Sequence, residues 1–69
     1  MQGVVKSYDP STGIGIIVAD DRAEIYLGPG SLADSVFRTL RQGQRLVFDT
    51  DERNGKLFAH HLRFGSDGR

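Results

Sequence analysis

Cysteine is missing from the 69-residue chain, which excludes a disulfide framework and any thiolate zinc site. Domains of this length have small cores and are often stapled by disulfides or a metal. The absence of cysteine also fits a reducing compartment. An excess of charge of one sign is missing too, since nine basic residues balance nine acidic ones. Bulk charge therefore gives no sign of phosphate binding. Any phosphate-binding site has to come from local arrangement, and the remaining charges read as a solvated surface. Long apolar runs are absent, and none approaches the about 18 residues of a membrane span. The opening Met1-Gln2-Gly3-Val4-Val5-Lys6 lacks the basic stretch and apolar stretch of a secretory signal. The expectation is a cytoplasmic protein with no membrane partner. The length has room for one domain, expected over 1–64, with the polar, glycine-bearing 65–69 as a flexible tail.

What is present is a series of five short strand-like segments. Positions 2–8 carry Val4, Val5 and Tyr8, and Asp9-Pro10-Ser11-Thr12-Gly13 closes them as a turn. Positions 14–19 form a β-branched run interrupted by Gly15. Its shortness, its branching and the flanking glycine decide for strand over helix. After the polar turn 20–22, positions 23–28 put Ile25 and Leu27 on one face and Glu24 and Tyr26 on the other. Gly28-Pro29-Gly30 ends that strand. Leu32, Val36, Phe37 and Leu40 then have helical spacing, with Ser31 as an N-cap, and the expectation is one helical turn over 31–34 followed by a loop. Positions 44–50 alternate Leu46 and Phe48 against Val47 and Asp49. Asn54-Gly55 is a strong hairpin signal, and 56–64 is the last strand. Five short strands point to a small closed or nearly closed barrel, because closure removes exposed edges. Val5, Ile17, Ile25, Leu27, Leu46, Phe48 and Leu62 are the expected core.

The order of the segments carries a resemblance. Thr12-Gly13-Ile14-Gly15-Ile16-Ile17 resembles the first RNA-binding motif of the cold-shock family, Lys-Gly-Phe-Gly-Phe-Ile. Ile25-Tyr26-Leu27-Gly28-Pro29 resembles the second, Val-Phe-Val-His-Phe. The opening Gly3-Val4-Val5-Lys6-Ser7-Tyr8-Asp9, the stretch from Leu40 to Phe48 around Gly43-Gln44, and the stretch from Asn54 to Leu62 are similar to further family segments at matching spacing. Each motif alone is unspecific, whereas their order along nearly the whole chain is specific for the fold. The resemblance implies an all-β, five-stranded antiparallel Greek-key barrel, an OB-fold of the cold-shock type, that binds single-stranded RNA or DNA. Bases stack on rings of one sheet face and basic side chains track the phosphates. Carried over residue by residue, it implies a nucleic-acid-binding set of Lys6, Tyr8, Ile14, Ile16, Tyr26 and Phe37, with no cofactor.

The departures bear on affinity. The family's tryptophan is Ser7 here, its two first-motif phenylalanines are Ile14 and Ile16, its second-motif histidine and phenylalanine are Gly28 and Pro29, and its first-motif lysine is Thr12. Stacking contributes about 1–3 kcal/mol per base, so binding is expected to be weak and poorly selective. The alternative is a protein–protein interaction module using the same, altered face. Structural readings stand beside the functional ones. Lys6 reads equally as a solvated strand lysine, Tyr8 and Tyr26 as amphipathic barrel residues, and Phe37 as a loop anchor over the core. His60 and His61 are neighbours on a strand, so alternation sends them to opposite faces and away from a shared metal. No nucleophile–base constellation with a cleft is evident, and a non-enzyme is expected.

Overall fold

The computed structural model describes residues 1–33, 35 and 37–65. The strands are β1 (Gln2–Asp9), β2 (Ile14–Ala19), β3 (Glu24–Leu27), β4 (Arg45–Arg53) and β5 (Lys56–Phe64). They close into a barrel in the order β1-β2-β3-β5-β4. β1 to β3 form a meander, and β4 returns beside β1 as a Greek key requires. The pairs β1–β2, β1–β4, β2–β3 and β4–β5 are antiparallel, whereas β3 and β5 pair in parallel at Tyr26↔Phe58. The expected five-stranded Greek-key barrel forms, and one parallel pair closes it. The reason is parity: strand direction alternates around an antiparallel ring, and an odd number of strands cannot close without one parallel pair.

Strand alternation builds the core. Val5, Ile17, Ile25, Leu27, Leu46, Phe48 and Leu62, the expected set, are each no more than 2% exposed. Ala19, Ala59, Phe37 and Leu40 complete it. Gly15 is required by close approach, since a Cβ there would lie 2.5 Å from the Ser7 carbonyl oxygen of the neighbouring strand. The β4–β5 hairpin turns on Asn54 (φ 52°) and Gly55 (φ 78°) between the paired Arg53 and Lys56. This is the two-residue turn that the Asn-Gly dipeptide favours.

The segment expected as a helical turn instead forms successive tight turns. Ser31 N donates to Gly28 O at 3.1 Å, Ala33 N to Gly30 O at 3.0 Å and Ser35 N to Leu32 O at 3.1 Å. The Ser31 hydroxyl donates to the Gly28 carbonyl rather than capping a helix. No helix forms among the described residues. Phe37 and Leu40 beyond these turns are buried in the core cluster. Asp34 and Val36 lie outside the described residues, as does the expected tail beyond Gly65. Gly65 itself still donates to Arg45 O at 3.3 Å.

The β1–β2 turn is held by Asp9. Its Oδ1 accepts from Ser11 N at 2.9 Å and from the Ser11 hydroxyl at 2.7 Å, and its carbonyl accepts from Gly13 N at 2.8 Å. The Ser11 side-chain bond, followed by its backbone bond, holds the Asp9 carboxyl below its ordinary value. A lowered folded pKa contributes to stability above the unfolded pKa, and that contribution is lost as the pH falls through the folded value. Ser11→Ala is therefore expected to raise the Asp9 pKa. An NMR titration of the Asp9 side chain checks this, and an unchanged midpoint would show that Ser11 does not hold the carboxylate.

Candidate nucleic-acid interface

Register fixes which side chains share the outer face. Ser7 pairs with Ile16, Ile16 with Tyr26, and Tyr26 with Phe58. Cross-strand partners lie on one side of a sheet, so Ser7, Ile16, Tyr26 and Phe58 make a row across β1, β2, β3 and β5. Gly15, Ile17, Ile25 and Leu27 alternate inward beneath it. The Tyr26 and Phe58 rings are 6.0 Å apart, inclined at 46°. The Arg53 guanidinium stands 5.6 Å from the Phe58 ring centre, and the Lys56 ammonium stands 5.3 Å from that of Tyr26. Both cations flank the hairpin end of β4–β5 and lie over ring faces, where the ring quadrupole attracts them. Beside the row is a shallow open hollow of about 300 Å³ between the Gly28-Pro29-Gly30 turn and Phe58, Arg53 and His60.

The predicted site residues separate on this frame. Ile16 and Tyr26 are paired, half-buried members of the row. Ile14, 54% exposed, lies two residues along β2 on the same face. Lys6 is the extra residue of a β1 bulge, between Val5 paired with Ile17 and Ser7 paired with Ile16. Its ammonium is 3.6 Å from Glu24 Oε2 with both side chains exposed, a pairing too weak to immobilise it. Tyr8 pairs with Gly15 on the inward side and packs partly buried against the core. This is the barrel-residue reading and not a place in the row. Phe37 is 9% exposed within the core cluster and meets Phe64 edge-on at 4.9 Å. These are the contacts of the loop-anchor reading, within the core cluster.

Phe58, Arg53 and Lys56, which join Tyr26 in this cluster, lie outside the set expected from sequence. Phe58 faces outward between Leu57 and Ala59, which both pack on the core, and its link to Tyr26 arises through the parallel closure. The histidines require a further correction. Leu46 pairs with Phe64, Val47 with Arg63, and Asp49 with His60. His61 and Leu62 together thus face Phe48 alone, which is a β-bulge. His61 takes φ 53°. The bulge breaks the alternation, and both rings turn to one side with their Nδ1 atoms 2.8 Å apart.

Comparison with known proteins agrees with this architecture. The family model described as the "'Cold-shock' DNA-binding domain" matches residues 1–64. A cold shock-like protein of Thermotoga maritima is 31% identical over 61 residues, covering 87% of this chain and 92% of its own. A major cold shock protein of Streptococcus pyogenes is 31% identical over 51 residues, covering 74% of this chain and 76% of its own. With the closed five-stranded barrel and a match over 1–64, this chain belongs to the cold-shock DNA-binding domain family.

Proposed function

We propose that this chain binds single-stranded RNA or DNA in the cytoplasm, weakly and with little sequence preference, along the row Ser7, Ile16, Tyr26 and Phe58. The supporting observation is the outward Tyr26–Phe58 ring pair with Arg53 and Lys56 over the ring faces. Rings accept bases of any identity because every base has a π face, and flanking cations follow the phosphates. Phe58 partly offsets the rings absent at Ser7, Ile14 and Ile16. Ile14 and Ile16 offer an apolar floor but no comparable stacking.

The test is a titration with labelled heptathymidine and with mixed single-stranded RNA at two salt concentrations. With Lys6, Arg53 and Lys56 as the phosphate contacts, the log–log salt slope is expected near −2, from about −0.7 per contact on single strands. The dissociation constant is expected above the micromolar range at physiological salt. Tyr26→Ala and Phe58→Ala should each weaken binding by roughly 5- to 150-fold, the equivalent of one lost stack. Submicromolar binding by the parent, or indifference to both substitutions, contradicts the proposal. A folded chain that binds no single strand even at low salt moves the assignment to the protein-interaction reading of the same face.

A further inference from the structure

We propose that His60, His61 and Asp49, gathered by the β5 bulge, form a surface site for a divalent transition-metal ion of the copper(II) or nickel(II) class. One donor atom from each residue lies within 4.8 Å of the others. The two histidine Nδ1 atoms are 2.8 Å apart and share a hydrogen bond, whose proton moves to the far nitrogen of its ring when an ion takes both lone pairs. With metal–nitrogen bonds of ~2.0–2.1 Å, ligands at a right angle stand ~2.9 Å apart and tetrahedral ones ~3.3 Å apart. The bite therefore matches a tetragonal or octahedral ion better than a tetrahedral one. Asp49 Oδ2 is 3.9 Å from His61 Nδ1, within reach through a small rotation of an exposed side chain.

The surroundings complete the donor set. Asp49 Oδ1 accepts from Arg63 at 3.1 Å, which orients the carboxylate while leaving Oδ2 toward the histidines. Asp51 Oδ2 stands 3.5 Å from His60 Nε2. When His60 gives its Nδ1 lone pair to a metal, its ring proton sits on Nε2, facing that carboxylate. A carboxylate behind a ligating imidazole fixes the tautomer and raises ligand basicity. Asp49 and Asp51 place two carboxylates beside the histidines, one near each ring. His61, Asp49 and Asp51 are exposed, which gives the ion an entry path and lets water fill the remaining coordination positions.

The experiment is calorimetric titration of the full, tag-free chain with nickel(II) chloride and, separately, copper(II) chloride. Visible absorption of the copper form reports nitrogen ligation. One ion per chain is expected. His60→Ala and His61→Asn should each weaken binding at least tenfold, and Asp51→Asn about tenfold or more, the range for a partner behind a ligand. Asparagine tolerates the positive φ at position 61, and an unchanged circular dichroism spectrum shows that the fold is kept. Absence of one-to-one binding overturns the proposal. So does binding that survives both histidine substitutions unchanged, since the ion then sits elsewhere, as on the terminal amine.

Discussion

Ser7→Trp, Ile14→Phe and Ile16→Phe, introduced together, are expected to raise affinity for thymidine-rich single strands at least a hundredfold, with little change in unfolding temperature. Ser7 and Ile16 are adjacent members of the outer row, and Ile14 lies on the same face. A ring at each site extends the platform that Tyr26 and Phe58 begin. Each stack contributes about 1–3 kcal/mol. Neighbouring rings are not additive, but even two effective stacks at the middle of that range exceed the ~2.7 kcal/mol of a hundredfold gain. Ser7 and Ile14 are exposed and Ile16 is half-buried with an outward side chain, so none of the larger residues enters the packed interior, where added volume is costly. Parallel titrations of parent and variant with heptathymidine measure the gain, and thermal unfolding checks the fold. A variant that folds like the parent and gains nothing would show that the Gly28-Pro29 turn and the acidic Asp20-Asp21 turn no longer admit a strand to this face.

Leu27→Ala is expected to destabilise the barrel by ~2–5 kcal/mol, the range for deleting a buried leucine side chain. Leu27 is 1% exposed, and its Cδ1 fills the space over Gly15, 3.2 Å from where a Cβ on that glycine would stand. Gly15 has no side chain to move into the vacancy, so the site collapses poorly and the effect belongs at the upper part of the range. For a domain of this size each kcal/mol shifts the midpoint by about 4–8 °C, so a fall on the order of 10–40 °C is expected. Domains have about 5–15 kcal/mol of total stability, so this single change removes a large share. Thermal unfolding followed by circular dichroism measures it, and a midpoint within a few degrees of the parent would mean that Leu27 does not fill the barrel interior.

The legible parts of this fold were those written locally. Alternation in β3 and β4 placed Ile25, Leu27, Leu46 and Phe48 inward, because a period of two sorts side chains without knowledge of the partner strand. Asn54-Gly55 located its hairpin because few residue pairs accept two consecutive positive φ values. What escaped was non-local. Phe58 meets Tyr26 only through the parallel closure of β3 on β5, and no short window of sequence contains that pairing. His61 leaves strand alternation because of a bulge opposite Phe48, and neither glycine nor proline marks the spot. Phe37 and Leu40 have a helical spacing, yet they join the core cluster from a segment without regular structure. The candidate interface was thus half visible: Ile16 and Tyr26 from their motifs, Phe58, Arg53 and Lys56 only from the assembled sheet.

The most direct measurement is amide chemical-shift mapping by NMR as a thymidine-rich oligonucleotide is added to the chain. The row model predicts progressive, fast-exchange shifts centred on Ile16, Tyr26, Arg53, Lys56 and Phe58, with buried strand positions such as Ile25 and Leu46 unmoved. Shifts confined to other faces of the barrel, or none up to millimolar oligonucleotide, would contradict single-strand binding on the Tyr26–Phe58 row.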